Sequence, residues 1–501
     1  MVLLDEARSD GELTTRTRSP TNFATVWVGL ITVAYAAVSL RWITGPVGLS
    51  QDGENLGVFA MGSRAMRDIG IANSRGGSVL ALGNGSYAHH PPLLVWSTYL
   101  SEAAFGVHPW TARLPTACAA VAVIWLLYGL LRDLRLGSWP AAIGVTVAVA
   151  SPIFLIYGWM SDTPMLALPF ALAIARWWVR VGRDDLPLPV PTTVVVVTTL
   201  GALAGWEFSW WCAVFVVAAI WGRQHTPSRL AFSRLIGGGV VLGLAVTAGW
   251  VAASPTGMHG LIDAFSTRTG LGATTNVDTA LRDNLTFAAR LTVPLALALL
   301  PFAVWLAARD RRSRQLLLLT AIGFGGYAAI FWQASSLHDY WNEWSVVPVA
   351  IAFAAAAAAA IGHAQRRHWS YPVGAVVAVA MACAVWGPLM PSEAQAQLTN
   401  GARIGRELAA TTLPSDQGAW LVSGLPVPEA WVSYVSGRPF QAVDTPAALA
   451  HVAVMHPNWW IIAVCGDRCV AMSQGGRRVE NVVINRVDVI AAALVAPAPT
   501  R

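Results

Sequence analysis

Apolar runs long enough to cross a bilayer recur along most of this 501-residue chain, and the turns that separate every second pair carry knots of arginine. RDLRLG, RVGRDD, GRQHTPSR, ARDRRSR and HAQRRHW are those knots. Charged residues make up only 12% of the sequence against 55% hydrophobic ones, too little charge to cover a soluble protein of this length. The class that remains is an all-α polytopic membrane protein. The net charge of +6 is carried wholly by arginine, set in short clusters between apolar runs, which argues against a nucleic-acid footprint. A composition rich in Ala, Val and Arg fits a bacterial source, and with it the inner (cell) membrane.

Because cytosolic loops concentrate positive charge, the arginines also give an orientation. Residues 1–23 are polar, lack the apolar core of a signal peptide and read as a cytosolic tail. A first span over 24–42 follows Arg8, Arg16 and Arg18, so it leaves the cytosol. The run from Leu114 to Leu131 ends in RDLRLG and must come back, which puts the loop 43–112 outside. Pairs of runs near 139–160 and 165–181, 190–205 and 208–222, 235–253 and 287–307, and 315–333 and 345–361 each end in arginines; a last run spans 371–390. The expectation is about eleven spans in a membrane domain 24–390. Residues 391–501 then form a small extracytosolic α/β domain, from strand-like stretches such as NWWIIAVC and VENVVINRVDVI. Cys465 and Cys469 in VCGDRCV are a disulfide candidate there, since no second Cys or His pair stands at metal spacing.

The outside loop 43–112 contains SYAHHPPLLVWSTYL. The helix after its prolines cannot be an ordinary crossing. Ser97, Thr98, Ser101 and Glu102 fall on one face, while Leu93, Trp96, Leu100 and Ala103 fall on the other, the pattern of a helix lying in the membrane interface. Pro91 and Pro92 suit its first turn.

Polar groups on the outer side gather at five places: Asp52 with Glu54, the His89–His90 pair, Asp162, Glu207, and His338–Asp339–Tyr340. Each also has a plainer reading. Asp52 stands where it would cap a helix, and Asp162 before Thr-Pro would cap the next one. The histidines would anchor the interfacial helix, Glu207 would be a solvated loop charge, and the aromatics near Tyr340 would be an interfacial belt. Their placement on one side favours a shared site. An inverting sugar transfer needs a carboxylate to take a hydroxyl proton, and cations or hydrogen-bond donors to stabilise a departing phosphate. Arginines such as Arg268 and the histidines suit the second task. Clustered carboxylates also leave room for a divalent cation, although no ligand spacing demands one.

In order, QDGE at Asp52, HHPPLLVW, ARLPTA at Arg113, SDTPMLAL at Asp162 and HDYWNEWSVVP resemble the motifs of the GT-C class of polyprenyl-phosphate-sugar-dependent glycosyltransferases. The resemblance is to bacterial relatives of the protein O-mannosyltransferases and of the lipid A aminoarabinose transferase, and it covers residues 24–361. It implies a GT-C-like fold with juxtamembrane helices in the first loop and a polyprenyl-phosphate-linked sugar donor. The acceptor would be a glycan, a glycolipid or a protein. Asp52 would then be the general base, with Asp162 and Glu54 orienting substrate and His89, His90, His338 and Tyr340 lining the donor pocket. Gly53 departs from the family's adjacent Asp-Glu. A transporter or lipid flippase would instead place charges near the bilayer midplane. An inactive scaffold with the same body is the third reading.

Overall fold

In a computed structural model, the described residues are 20–45, 51–81, 86–182, 190–221, 226–271, 276–291 and 294–367, with shorter pieces between 404 and 495. They form a helical bundle with a small sheet domain against one end. The helices of the bundle are α1 (Pro20–Ile43), α2 (Gln51–Asp68), α3 (Leu93–Phe105), α4 (Pro109–Asp133), α5 (Ser138–Val149), α6 (Pro152–Tyr157), α7 (Thr163–Val181) and α8 (Pro191–Ala204). They continue with α9 (Trp206–Trp221), α10 (Pro227–Ala253), α11 (Gly257–Thr269), α12 (Val277–Leu291), α13 (Pro294–Arg309), α14 (Arg311–Ile330), α15 (Trp332–Leu337) and α16 (Val346–Arg367). Among the described residues, five helices are long and apolar enough to cross a membrane by length and composition, and four shorter ones are apolar. The last expected span, 371–390, lies outside the described residues.

Helix starts follow local chemistry. Asp162, Thr226 and Asp310 each accept the backbone N–H three residues on, so one orphan donor of each helix is satisfied. Pro164 and Pro227 sit in the first turn, where a missing N–H costs nothing. Proline also explains the first departure from expectation. The run 139–160 is two helices, not one, broken at Ser151–Pro152, because an interior proline removes a helical hydrogen bond. The second departure is the long loop after α10, which holds two helices, α11 and α12. Met258, Ile262 and Phe265 on α11, and Val277, Leu281 and Leu285 on α12, form exposed apolar stripes.

Close helix packing in the bundle uses small residues. On α10, a Cβ at Gly239 would meet the Thr198 Cβ at 2.7 Å, and one at Gly243 would meet the Ala202 Cβ at 2.6 Å. Thr199 Oγ1 donates to the Gly239 carbonyl at 3.2 Å across the same seam. This small-xxx-small spacing lets two backbones approach, as membrane helices require when no hydrophobic effect drives them together.

The second unit is a five-stranded sheet of β1 (Gly418–Leu421), β2 (Phe440–Val443), β3 (Trp460–Val464), β4 (Arg477–Val479) and β5 (Val482–Arg486), in the order β2-β1-β3-β5-β4. β1 runs parallel to β2 and β3, whereas β5 is antiparallel to β3 and β4. Side chains alternate along a strand, and the two faces separate accordingly. Ile461, Ala463 and Val483 pack with Leu449 of α17 (Pro446–Met455), Met472 of α18 (Cys469–Met472) and Ile490 of α19 (Val487–Val495). Ile462 and Ile484 face the other way, into a cluster with Ile404 and Leu408 that also takes in Leu56 and Ala60 of α2 and Ala112 of α4. Cys465 lies outside the described residues, and so does its pairing with Cys469.

The interfacial helix α3 starts at Leu93, after both prolines. Its polar stripe is turned onto the protein: Thr98, Ser101 and Glu102 are buried, while Leu100 and Phe105 are exposed. Glu102 Oε2 accepts from Ser63 Oγ at 2.5 Å and pairs with Arg67, so α3 is strapped to α2 through a buried carboxylate. Burial raises its pKa, and the Ser63 and Arg67 hydrogen bonds oppose that shift.

Candidate functional site

The end of the bundle under the sheet collects the polar residues, and Arg113 organises them. It opens α4 one turn in, fully buried (0% exposed), against an Asp52 that is 3% exposed. Nε donates to Asp52 Oδ1 at 3.1 Å and Nη2 to Oδ2 at 2.5 Å, a bidentate pair. Nη1 donates to the carbonyls of Ile43 at 2.9 Å and Gly45 at 2.7 Å, which closes the C-terminal end of α1. The guanidinium also stands 5.3 Å from the Trp159 ring. One side chain thus ties α1, α2, α4 and the segment before α7 together. Asp52 lies inside the first turn of α2 and not at its cap. The side chain of Glu54, two residues along, is outside the described set.

Asp162 does cap α7, as its Thr-Pro context predicts: Oδ1 accepts from Met165 N at 3.0 Å. Capping uses only one oxygen. The other oxygen is buried beside the Glu343 carboxyl, which is within hydrogen-bonding reach of it, and the residue is 1% exposed. Burial pushes this carboxyl well above the usual range, and Glu207 and Asp52 nearby push in the same direction. Ser161 Oγ donates to the Ala112 carbonyl at 3.4 Å, one residue from Arg113, so the Asp162 and Asp52 segments are held side by side.

Glu207 is no solvated loop charge. It occupies the first turn of α9, is buried, and has Oε2 without a hydrogen-bond partner among the described residues. A fourth carboxyl, Glu343, fully buried in the 3-10 turn Asp339–Ser345, joins them and acts on Asp162. It went unmarked in the sequence although HDYWNE spells it out, because an acid amid interfacial aromatics reads as solvated. Among the described residues no group of three His, Cys, Asp or Glu is placed to hold a metal ion.

Beside the acids lies a cationic pocket. Arg268, in the last turn of α11, places Nη2 2.8 Å from His90 Nε2 and Nη1 3.4 Å from the His89 carbonyl. Its guanidinium stands 5.6 Å from the Trp341 ring. Trp206 Nε1 donates to the His89 carbonyl at 2.9 Å, so α9 holds the same loop from the other side. Tyr87 packs its ring 3.9 Å from that of His89 and 5.8 Å from that of His90. His338 caps the C-terminal end of α15, with its ring 6.0 Å from Trp341 and 5.4 Å from the buried Tyr340. The histidines do not cap α3, which has Pro92 at its N-cap and no side-chain cap bond. Asp339 begins the 3-10 turn, and its side chain is outside the described set. Burial, reinforced by Arg268, lowers His89 to about 3 and His338 to about 4, and holds His90 well below the ordinary imidazole value. One arginine is therefore surrounded by neutral imidazoles, next to a set of buried carboxyls.

Comparison with solved structures bears on what this arrangement belongs to. The crystal structure of ArnT from Cupriavidus metallidurans bound to undecaprenyl phosphate superposes with a TM-score of 0.61 at 15% identity, over 93% of this chain and 98% of that one. The apo form of the same protein gives 0.59, also at 15% identity, over 93% and 99%. The chain has a GT-C glycosyltransferase fold. Archaeoglobus fulgidus AglB, an oligosaccharyltransferase in complex with an inhibitory peptide and a dolichol-phosphate, gives 0.53 at 12% identity, over 88% of this GT-C chain and 69% of that protein. No family model matches the sequence, and no curated protein matches it. Identities this low carry the GT-C fold and not the assignment of any residue.

Proposed function

We propose that the chain is a glycosyltransferase that moves a sugar from a polyprenyl phosphate to an acceptor hydroxyl at the extracytosolic membrane face. The observation that carries this reading is the adjacency of two opposite sites, a nest of buried carboxyls around Asp52 and Asp162 and an arginine ringed by neutral imidazoles. The first suits a proton acceptor and the second a leaving phosphate. The ArnT crystal structure holds undecaprenyl phosphate and the AglB complex a dolichol-phosphate, and the same kind of carrier suits the exposed apolar stripes of α11 and α12 beside Arg268.

In this mechanism the acceptor hydroxyl loses its proton to a carboxylate as its oxygen bonds to the anomeric carbon. The bond from that carbon to the phosphate oxygen breaks on the opposite side, with inversion, and the released polyprenyl phosphate keeps its negative charge beside Arg268. Asp52 is the base, fixed in direction by Arg113. The bidentate clamp favours a second reading, in which Arg113 occupies Asp52 and the base is Asp162, which has no cationic partner and whose carboxyl burial pushes well above the usual range. Glu54, Glu207 and Tyr340 would orient sugar or acceptor. Both readings place the N-terminus in the cytosol and the sheet domain outside, where it would select the acceptor glycan, glycolipid or protein.

Turnover of a polyprenyl-phosphate sugar by reconstituted protein tests the class, and envelope glycans from a deletion strain, compared by mass spectrometry, identify the sugar. Loss of a general base costs about 10²- to 10⁴-fold. Asp52→Asn should fall in that range under the first reading, and Asp162→Asn under the second. If both variants turn over normally, neither carboxylate is the base.

A further inference from the structure

His90 is held in a way that fixes where its proton sits. Its Nε2 lies 2.8 Å from Nη2 of Arg268. A guanidinium has no acceptor, so it must be the donor and Nε2 must present its lone pair. A neutral imidazole that accepts at Nε2 carries its hydrogen on Nδ1. Burial and the positive charge of Arg268, with His89 and His338 acting in the same sense, keep this ring neutral. The side chain is 8% exposed, and its Nδ1 has no hydrogen-bond partner among the described residues. The Nδ1 of His338, in the same pocket, is also buried and unpartnered. A buried N–H without an acceptor is costly, so the pocket holds an unpaired donor in reserve.

We propose that the Nδ1–H of His90 is a preset hydrogen-bond donor to an anionic phosphate oxygen bound beside Arg268, with Arg268 setting the tautomer. His90 is thus a positioning group for the phosphate and not a proton donor to it. Arg268 supplies the charge and those of its N–H donors that His90 and the His89 carbonyl leave free, and the imidazole N–H adds a donor of fixed direction from a second side. The arrangement also discriminates. A neutral alcohol offers a weaker acceptor, and a cation meets Arg268 as a like charge. This inference rests on the polyprenyl-phosphate reading above.

Amide side chains separate the two ring nitrogens, because the Asn amide reaches roughly where Nδ1 stands and the Gln amide roughly where Nε2 stands. The purified full-length protein in nanodiscs would be titrated with undecaprenyl phosphate, with undecaprenol and with inorganic phosphate. His90→Gln, which keeps a partner for Arg268 and loses the donor, should weaken undecaprenyl phosphate binding roughly tenfold or more. His90→Asn should stay within about threefold of the wild type, and neither change should alter undecaprenol binding. The reverse ranking, Gln tolerated and Asn not, overturns the proposal, since the imidazole would then act only through Arg268. Equal binding of undecaprenol and its phosphate to the wild type sinks the donor reading itself. Equal His90-dependent binding of inorganic phosphate overturns the lipid assignment alone. If the Gln variant is not recovered folded, wild-type protein with ¹⁵N-labelled histidine decides. The His90 Nδ1 resonance should shift with undecaprenyl phosphate and not with undecaprenol, and an unmoved resonance overturns the donor role.

Discussion

At the scale of single residues, stability and chemistry pull in different directions at the two aspartates. Asn caps a helix as well as Asp does, so Asp162→Asn keeps the bond to Met165 N and removes an acid whose ionisation the interior resists. A carboxyl with a raised folded pKa loses stability as pH rises from its unfolded value towards its folded one. The variant should therefore melt no lower than the wild type at neutral pH, and a clear drop in melting temperature would contradict this account. Asp52→Asn differs, because Arg113 would stay buried without its counter-charge. Breaking such a pair costs about 3–5 kcal/mol, which chemical denaturation in detergent would register. The imidazoles give a pH prediction of opposite sign. His89 and His338 bind protons far more weakly folded than unfolded, so stability is lost as pH falls from about 6.5 towards 4. Melting curves at pH 7.5 and pH 5 should diverge for the wild type and lie closer together for a His89→Gln, His338→Gln double variant, in which only His90 still resists protonation in that pocket. Much of this chemistry was legible in the sequence, but not all of its partners. ARLPTA marks Arg113 as part of a motif, yet only folding brings it to Asp52, 61 positions away. Glu343 was hidden for the same reason, since nothing local says that the 3-10 turn is buried.

At the scale of elements, the sequence read well wherever one physical rule dominates. Asp-Thr-Pro before α7 marks a real helix start, whereas Thr-Pro at 226–227 before α10 and Ser-Pro at 151–152 carry signals for a start and a break that span counting passed over. The helices α11 and α12 were missed because hydropathy averages away a one-sided stripe. The four-residue spacing of Met258 and Ile262, and of Val277, Leu281 and Leu285, was the available signal. The seam between α8 and α10 yields its own prediction. Gly243→Leu would drive a side chain into Ala202 and the Thr199 carbonyl, so the helices must separate. Expected is a loss of folded protein on size-exclusion chromatography, while Gly249→Leu on the same helix, where a Cβ meets nothing within 4 Å, is tolerated.

At the scale of the whole molecule, the sheet domain is a buttress for α2 as well as a separate unit. Ile462 belongs to the cluster shared with α2 through Ile404, Leu408, Leu56 and Ala60, and Ile461 to the one shared with α17 and α19, so neighbouring residues in one strand serve different partners. Truncating either to Ala should cost about 2–5 kcal/mol. Only Ile462→Ala should also lower turnover, because it alone loosens the helix that carries Asp52; equal effects on kcat would show that the domain does not brace the site. An α/β domain was legible from the strand-like stretches, but its docking was not, because alternation along a strand says that two faces are buried without saying what covers each.

The most consequential asymmetry lies in what each half of the site is built on. Asp52 and Asp162 stand on helices wedged into the core, whereas Arg268 rides on α11, a helix with no buried residue. Whatever the arginine grips is therefore held from the open side of the doorway, while the carboxylates wait in the frame.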